Sequence, residues 1–308
     1  MFLCVVLSKQ SIFVMKFIVT GSTGNISKPL SSQLVRAGHD VSIVSSNPEK
    51  TEEILALGAQ ALIGSVEDAS FLTKAFAGAD GVYTMIPPNM VVPSWKDFIY
   101  RVGDSYVTAI RAAGVKKVVN LSSIGAHMAQ GGGLLSLYYH VEQNLNKIPG
   151  IHVVHLRPGS FYTNFLGNIG MIKHLGVIGN NYADRVLPLA HPDDIAAVAF
   201  AELSARNFSN NNVRYVVSDE RRTDDIAKVL GTAIGKPDLK WVGFKDEDVL
   251  NGMLQAGLSR DVAENLVKMG QAVASGEAGA DYLQHKPAPG SVKLEDFAKQ
   301  FALAYANS

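Results

Sequence analysis

Short apolar runs alternate with amphipathic segments from residue 16 onward, and this alternation constrains the fold of the 308-residue chain more than any other feature. The runs FIVT, VSIVS, AQALIG, DGVYTMI, KKVVNLSS and IHVVHLRPG have the lengths of strands, and the segments between them carry apolar residues at helical spacing. Parallel strands require such helical crossovers, which cover both faces of the sheet. The pattern predicts an α/β fold of the Rossmann type, a doubly wound parallel sheet with about six strands before Pro158.

The β-α order weakens after residue 158, where Gly, Asn and Tyr become frequent. HPDDIAAVAFAEL predicts an Asp-capped helix, VRYVVSD predicts a strand, and Thr223 is expected to cap the helix that follows it. The tail from residue 244 is mainly helical, with the loop HKPAPG. We therefore predict a Rossmann domain over residues 15–158 and a smaller, mainly helical lobe over residues 159–308, partly interleaved with the sheet.

The first 14 residues, MFLCVVLSKQSIFV, do not fit the β-α pattern. They lack the charged n-region of a signal peptide, and Lys9 and Gln10 interrupt their short apolar run. We interpret residues 1–14 as an N-terminal extension, with a cleaved signal as the alternative. No apolar stretch of the sequence reaches the roughly 20 residues that a membrane span needs.

Charge and cysteine content exclude several classes of function. The 28 basic and 28 acidic side chains cancel, and no basic run is dense enough for direct nucleic-acid or membrane binding. Cys4 is the only cysteine, which excludes an intrachain disulfide and a thiolate zinc cluster and fits a reducing, cytoplasmic location. His152 and His155 would point to opposite faces of one strand, so we predict no metal site.

The segment IVTGSTGNIS places a glycine turn between the first strand and the first helix. Free backbone N–H groups in such a turn, together with the helix dipole, favour a phosphate. Gly21 permits the turn, and Gly24 lets a pyrophosphate approach the main chain. Ser27 takes the third glycine position of a dinucleotide fingerprint, where a small side chain is tolerated at modest cost. The segment therefore predicts a dinucleotide site.

The end of the second strand should distinguish NAD from NADP, because an acidic side chain there would bind the ribose 2′-hydroxyl. This sequence instead has Ser46, Asn47 and Lys50 in SSNPEK. Two hydroxyls, an amide and a nearby ammonium suit a 2′-phosphate better, so NADP(H) is favoured over NAD(H). An N-cap of the next helix, provided by Ser46 or Asn47, explains the same residues without a nucleotide.

Six segments in the same order resemble the NmrA-like branch of the atypical short-chain dehydrogenase/reductases. They are MKFIVTGSTGNIS, SSNPEK, AFAGADGVYTMIPP, KKVVNLSSIGA, LRPGSFYTNF and HPDDIAAVA. The resemblance runs from Met15 through nearly the whole chain. That family includes NADPH-dependent quinone reductases, reductases of plant aromatic alcohols, and non-catalytic proteins that sense the nicotinamide redox state and report it to protein partners.

The resemblance implies a cofactor site formed by segments that follow successive strands. These cofactor residues are Gly21, Thr23, Gly24, Asn25, Ile26, Ser46, Asn47, Lys50, Met85, Ile86, Pro87, Ser122, Ser123, Tyr138 and Pro158. The substrate pocket would contain Tyr139, Phe161, Tyr162 and Phe165, with Trp95 and His127 as further candidates.

The sequence departs from catalytic relatives at their proton relay. Those enzymes use a Ser, a Tyr and a Lys, with the Tyr and Lys four residues apart on one helix face. The corresponding helix, LLSLYYHVEQNLNK, contains no Tyr-x-x-x-Lys. Alignment on Glu142 puts Leu134 and Tyr138 at the Tyr and Lys positions, and Ile124 replaces the Ser. A reduction that depends on this relay is therefore disfavoured.

Hydride transfer to a quinone needs less, because the ring of the product stabilises the anion that forms. The sequence thus favours an NADPH-dependent reductase of quinone-like or conjugated acceptors, with Tyr138 and His140 as candidate catalytic residues. An NADP(H) redox sensor that acts through a protein partner is the main alternative, and an isomerase-like activity is a further one. A homodimer is compatible with either function.

Overall fold

The computed structural model describes residues 14–205 and 213–308. Apart from the exposed Val14, the predicted N-terminal extension lies outside the described residues. The first half of the chain alternates strands and helices in the order β1 (Lys16–Val19), α1 (Ser27–Arg36), β2 (Asp40–Ser45), a 3-10 helix (Pro48–Lys50), α2 (Thr51–Ala56), β3 (Gln60–Ile63), α3 (Ala69–Phe76), β4 (Gly81–Thr84), α4 (Trp95–Ala113), β5 (Lys117–Leu121), α5 (Leu134–Asn146) and β6 (His152–Pro158).

The second half has shorter strands and more helix. Its elements are β7 (Ser160–Phe161), a 3-10 segment (Tyr162–Asn168), α6 (Ile169–Leu175), β8 (Ile178–Asn180), β9 (Val186–Ala190), α7 (Pro192–Ser204), β10 (Val213–Val216), β11 (Asp219–Arg222), α8 (Thr223–Ala233), β12 (Trp241–Gly243), α9 (Asp246–Gln255), α10 (Arg260–Ser275), a 3-10 turn (Glu277–Gly279), α11 (Ala280–Gln284) and α12 (Leu294–Ala306).

Seven strands form one parallel sheet in the order β10-β6-β5-β4-β1-β2-β3. The strand order reverses between β1 and β4. In open α/β sheets this reversal creates a crevice at the carboxyl ends of the strands, where ligands bind. The predicted Rossmann fold class is confirmed.

Two apolar cores cover the faces of this sheet, because successive strand residues point to opposite sides. In β1, Ile18 belongs to the core under α3, α4 and α5, whereas Phe17 and Val19 belong to the core under α1 and α7. All three side chains are fully buried. Burial on both faces explains why the strands are read as continuous apolar runs rather than as alternating ones.

The smaller lobe has its own core between α8, α12 and two small sheets, ordered β11-β9-β7 and β12-β8. The chain nevertheless returns to the main sheet after residue 158. Strand β10 pairs with β6 at its edge, and α7 packs beside α1.

Two expected helix caps are wrong. The side chain that caps α7 is His191, whose Nδ1 accepts from Asp193 N at 3.1 Å, so the two aspartates lie in the first turn instead. Thr223 is the first residue of α8, and its buried Oγ1 has no hydrogen-bond partner among the described residues. Both helices therefore begin at the predicted place, but the predicted residues do not cap them.

The two histidines of β6 do point to opposite faces, with His152 exposed and His155 fully buried. The Asn120 amide donates to His155 Nδ1 at 3.2 Å, so the ring proton lies on Nε2, which bonds Asn146 Oδ1 at 3.1 Å. Thr84 Oγ1 completes this chain by donating to Asn120 Oδ1 at 3.0 Å. Desolvation lowers the pKa of His155 to about 4. Protonation of His155 would put a proton on Nδ1, which would then face the N–H donor of the Asn120 amide.

We expect His155 to make the protein less stable in mild acid. Because its pKa falls from 6.5 to about 4 on folding, its contribution is complete above pH 6.5 and is lost as the pH drops toward 4. Between neutral pH and pH about 4.5 this loss is about 2.5 kcal/mol. Urea unfolding of the wild type and of His155→Gln at several pH values measures this loss. The free energy of unfolding should depend less steeply on pH in the variant than in the wild type.

The matched control for this titration is His174→Gln, which replaces an exposed histidine in the last turn of α6. Its unfolding free energy at neutral pH should equal that of the wild type. Equal pH dependence in wild type and His155→Gln would contradict the role given to His155.

Candidate functional site

The glycine turn between β1 and α1 has a strained backbone that β2 holds in place. Gly21 has φ +95°, and Ser22, although not a glycine, has φ +56°. Ser22 N donates to Val44 O at 3.0 Å, and Ser22 Oγ donates to Ser45 Oγ at 2.9 Å. A left-handed conformation at a non-glycine residue persists only where its surroundings enforce it. These bonds fix the turn to the end of β2.

Ser27 fills the third position of the turn with a specific contact. It is buried, and its Oγ donates to Thr20 O at 2.7 Å. A Cβ on Gly21 would lie 2.5 Å from this Oγ, so the serine occupies the space that the glycine leaves. The expected tolerance of Ser27 thus has a physical basis, because its hydroxyl joins the helix to the strand.

The start of α1 presents unpaired main-chain donors. Ile26 stands at the N-cap without a side-chain hydrogen bond, and no acidic residue lies in the first turn. Within the described residues, the N–H groups of Thr23, Asn25 and Ile26 have no hydrogen-bond acceptor. Gly24 is exposed beside them, and a Cβ there would lie only 3.0 Å from Gly21 O. These features fit an anionic group such as a pyrophosphate.

Thr20 joins this turn to the end of β4. Its Oγ1 accepts from Met85 N at 3.0 Å and is hydrogen-bonded to the Tyr106 hydroxyl at 3.2 Å. Tyr106 donates its one hydroxyl proton to Met85 O at 2.6 Å. Met85 is half-buried beside Gly21, Ile86 is buried, and Pro87 is half-buried after them. Sequence reasoning missed both Thr20 and Tyr106. In the sequence, Thr20 is only the end of an apolar strand, and Tyr106 is only one residue of an apolar helix face.

The residues after β2 face solvent. Ser46 and Asn47 are exposed, and Asn47 Oδ1 accepts from Glu49 N at 2.9 Å, so Asn47 rather than Ser46 caps the following 3-10 helix. Lys50 Nζ lies 2.9 Å from the carboxylate of Glu53. Helix capping at Asn47 is compatible with nucleotide contact, because its other polar atoms remain at the surface.

The end of β5 carries a buried ionic network. Ser122 Oγ donates to Glu142 Oε1 at 2.6 Å, and Arg157 binds both carboxylate oxygens of Glu142 at 2.9 and 2.6 Å. The neighbouring Ser123 is half-buried. Ile124 packs against Tyr215 in a small apolar cluster, so this position provides no hydroxyl. Ser122 is oriented by α5 and not by a catalytic tyrosine.

Helix α5 places its aromatic residues in different surroundings. Tyr138 is half-buried against the core under α4, and desolvation raises its pKa to about 12. Tyr139 is half-buried. His140 stacks on Tyr100 with centroids 3.9 Å apart and bonds Asn144 at 2.8 Å, which places it on the α4–α5 surface. The structure therefore does not bring His140 to the strand ends.

The segment after β6 sends most of its aromatic rings into cores. Pro158 is buried at the end of β6, and Phe161 is half-buried against the core under α1 and α7. Tyr162 is fully buried, stacks on Phe297 at 5.5 Å and donates to Val292 O at 3.2 Å. Phe165 is buried in the same lobe. Of these rings, Phe161 keeps the most surface for a ligand.

The two further aromatic candidates both make hydrogen bonds to main-chain groups. Trp95 is buried at the start of α4, and its Nε1 donates to Asn89 O at 2.6 Å. His127 lies within 3.3 Å of Ile124 O and 3.1 Å of Glu277 O. These contacts secure the loops around the carboxyl edge of the sheet.

Neither a metal cluster nor a membrane span belongs to the described structure. Within residues 14–205 and 213–308, no group of three or more His, Cys, Asp or Glu side chains is placed to hold a metal ion. No helix in the same ranges is both long and apolar enough to cross a membrane.

The first half of the chain is similar to a nucleotide-binding family. Residues 21–159 match a family model described as NAD(P)H-binding. A curated reductase of (4-alkanoyl-5-oxo-2,5-dihydrofuran-3-yl)methyl phosphate from Streptomyces griseus is 26% identical over 220 residues, 70% of this chain and 73% of that protein. The matched segment begins at Gly21, directly after β1, and ends just after β6, so it contains the glycine turn and the five strands β2 to β6.

Two solved structures share the fold over nearly their whole length. The NADPH-dependent quinone oxidoreductase of Escherichia coli, complexed with NADPH, has a TM-score of 0.76 at 19% identity and covers 92% of this chain and 99% of its own. The triphenylmethane reductase of Citrobacter sp., complexed with NADP(H), has a TM-score of 0.76 at 22% identity, with coverage of 92% and 99%. The likeness extends into the smaller lobe.

Gly24→Val should weaken nucleotide binding strongly without unfolding the protein. Gly24 does not have a positive φ, but a Cβ there lies 3.0 Å from Gly21 O, and the valine methyl groups would crowd the approach to the free N–H groups. Calorimetric titration with NADPH should show at least about a 30-fold loss of affinity, since removing such contacts costs about 2 kcal/mol or more. Gly252→Val, in exposed α9, is the matched control and should bind like the wild type. Retained binding by Gly24→Val would contradict the site.

Ser27→Ala should destabilise the protein by about 1 kcal/mol, because it removes the hydrogen bond to Thr20 O and leaves that carbonyl buried. NADPH affinity should change less than about threefold, since the free N–H groups of the turn remain. Thermal unfolding and calorimetry measure the two effects. A large loss of affinity at unchanged stability would show that Ser27 acts on the nucleotide directly.

Proposed function

We propose that this chain is an NmrA-like, atypical short-chain dehydrogenase/reductase and that it acts as an NADPH-dependent reductase of quinone-like or other conjugated acceptors. One observation carries the proposal. The glycine turn has free N–H groups, and the positions at which catalytic relatives have the Ser and Tyr of the relay hold Ile124 and Leu134 in this chain. The protein would thus bind the hydride donor without a dedicated proton donor.

The cofactor residues divide into three groups by position. The N–H groups of Thr23, Asn25 and Ile26 would hold the pyrophosphate, with Gly21 and Gly24 giving it room. Ser46, Asn47 and Lys50 would lie along the adenosine ribose. Contacts along the path to the nicotinamide would come from Met85, Ile86, Pro87, Ser122, Ser123, Tyr138 and Pro158.

NADPH is proposed over NADH because the end of β2 offers no carboxylate at Ser46 or Asn47 and an ammonium at Lys50. When bound, NADPH supplies the hydride for the reduction. The chain itself orients the acceptor against the nicotinamide and excludes water from the contact.

The proton required by the reaction would come from solvent. A quinone that accepts a hydride becomes a hydroquinone anion, whose ring delocalises the charge until water protonates it. Tyr138, with its pKa raised to about 12, remains a neutral hydroxyl and could donate a hydrogen bond to the reduced oxygen without giving up its proton. We assign no such part to His140, because its partners lie on the α4–α5 surface.

The names of the similar proteins support this class of acceptor. The Streptomyces griseus relative reduces an oxo-dihydrofuran that bears an alkanoyl group, and the two solved structures are a quinone oxidoreductase and a triphenylmethane reductase. In all three names, the acceptor contains an unsaturated ring. We infer a small, planar, conjugated substrate that packs against Phe161 and Tyr139. The cytoplasmic location remains a prediction.

Turnover tests the proposal directly. The purified protein, incubated with NADPH and a panel of benzoquinones, naphthoquinones and acylated unsaturated lactones, should oxidise NADPH faster with at least one acceptor than without any. Loss of reduced nicotinamide absorbance measures the rate, and Gly24→Val gives the background of a protein without its nucleotide site. Rates equal to this background for every acceptor would contradict the reductase.

The redox sensor is the second candidate, because the buried Ile124 and the absent Tyr-Lys pair favour binding without turnover. A sensor must bind NADP⁺ and NADPH with different affinities or change its assembly with one of them, since a ligand without differential affinity shifts no equilibrium. Calorimetry and light scattering distinguish the two functions. Equal affinities and an unchanged hydrodynamic radius would contradict the sensor.

A further inference from the structure

One carboxylate at the adenosine end of the site binds three different segments of the chain. Glu53, in α2, accepts from Lys28 Nζ at 2.8 Å through Oε1. Its Oε2 accepts from Lys50 Nζ at 2.9 Å and from Thr23 Oγ1 at 2.9 Å. The side chain of Glu53 is one-third exposed and those of the two lysines nearly half, so all three groups can exchange partners with a ligand.

The position of this cluster follows from the topology. Thr23 belongs to the glycine turn after β1, Lys28 to the first turn of α1, and Lys50 to the 3-10 helix after β2. The carboxyl ends of β1 and β2 are adjacent in the sheet. In folds of this class the ribose that carries the 2′-hydroxyl or 2′-phosphate lies at the end of the second strand.

We propose that Glu53 determines nucleotide specificity as an internal counter-ion, which Lys28 and Lys50 exchange for the 2′-phosphate when NADPH binds. This inference rests on the proposed NADPH site and identifies the residue that sets its selectivity. Glu53 holds the positions that a phosphate oxygen would take between the two ammonium groups.

The charges of the cluster give this exchange its direction. Two lysines and one carboxylate sum to a single positive charge, and hydrogen bonds from Lys28, Lys50 and Thr23 keep the pKa of Glu53 at about 2. The carboxylate is therefore ionised at any working pH. It must be displaced from both ammonium groups before a 2′-phosphate can replace it, and it repels that phosphate afterwards. Glu53 thus limits the preference for NADPH, whereas a 2′-hydroxyl carries no charge to be repelled.

The stability of the fold does not require such an arrangement. Partly exposed ion pairs contribute little to folding, because solvent screens them and the side chains lose freedom in forming them. Exchange of the Glu53 carboxylate for a phosphate therefore disrupts few other contacts. Release of Thr23 Oγ1 at the same step would free a hydroxyl next to the pyrophosphate position.

Removal of the Glu53 charge provides the test. Glu53→Gln should tighten NADPH binding about five- to tenfold, because one repulsive unit charge disappears at short range in a solvent-exposed site. NADH binding should change less than about twofold. Adenosine 2′-monophosphate and adenosine 5′-monophosphate, used as smaller probes, should repeat the contrast. Calorimetric titration of the full chain measures all four affinities, and thermal unfolding checks the fold.

Glu52→Gln is the matched control, since Glu52 is the exposed neighbour of Glu53 on α2. It removes the same charge from the same helix and should leave both affinities at the wild-type values. If Glu52→Gln tightened NADPH binding equally, the effect would come from the net charge of the protein, and the specific role of Glu53 would be overturned.

The remaining outcomes separate this inference from the proposed function. An unchanged ratio of NADPH to NADH affinity in Glu53→Gln would overturn the counter-ion role, and so would weaker NADPH binding, which would make Glu53 a support for the lysines. Weaker NADH binding would make it an acceptor for the ribose 2′-hydroxyl and overturn the proposal too. Binding with the expected ratio but without turnover contradicts the reductase alone. A wild type that binds neither nucleotide overturns both.

Discussion

Four hydrogen bonds to the buried Thr20 hold the candidate site together. Its N–H donates to Tyr83 O, its carbonyl accepts from Ser27 Oγ, and its hydroxyl accepts from Met85 N and is hydrogen-bonded to the hydroxyl of Tyr106. One residue therefore connects β1 to the start of α1, to the end of β4 and to α4. Each such bond contributes about 1 kcal/mol, and breaking one leaves a buried group unsatisfied. The glycine turn and the segment after β4 therefore cannot shift independently.

A second buried network determines the opposite side of the crevice. Arg157 binds Glu142 on α5 and also reaches Tyr215 and Asp281, the latter in α11 of the smaller lobe. Removing one partner of a buried ion pair leaves an uncompensated charge and costs about 3–5 kcal/mol. Helix α5 is thus positioned by a carboxylate and a guanidinium, and the relay positions on the same helix hold Leu134 and Tyr138. Because Ser122 bonds the same Glu142, the smaller lobe contributes to the geometry of the site.

Sequence reasoning located features that depend on local backbone geometry and missed features that depend on which elements pack together. The glycine turn follows from residue sizes and spacing within ten positions, and the structure retains it with Ser27 in place. Several aromatic residues were also expected around the nicotinamide, but spacing alone does not reveal that Tyr162 and Phe165 face the core of the smaller lobe. The Tyr100 ring that stacks on His140 lies 40 positions away and leaves no local signal.

The sequence by itself determined the parallel sheet, the positions of its first six strands along the chain, the glycine turn and the absence of a Tyr-x-x-x-Lys pair from α5. These depend on apolar periodicity, on glycine conformations and on residues four positions apart, all of which are local. Only the tertiary structure decided that β10 returns to the main sheet, and that Glu53 gathers Lys28, Lys50 and Thr23 at one carboxylate. The residues of each such group come from separate crossovers that pack on one sheet. The sequence does not reveal them, because the direction of each side chain depends on the surface that it contacts.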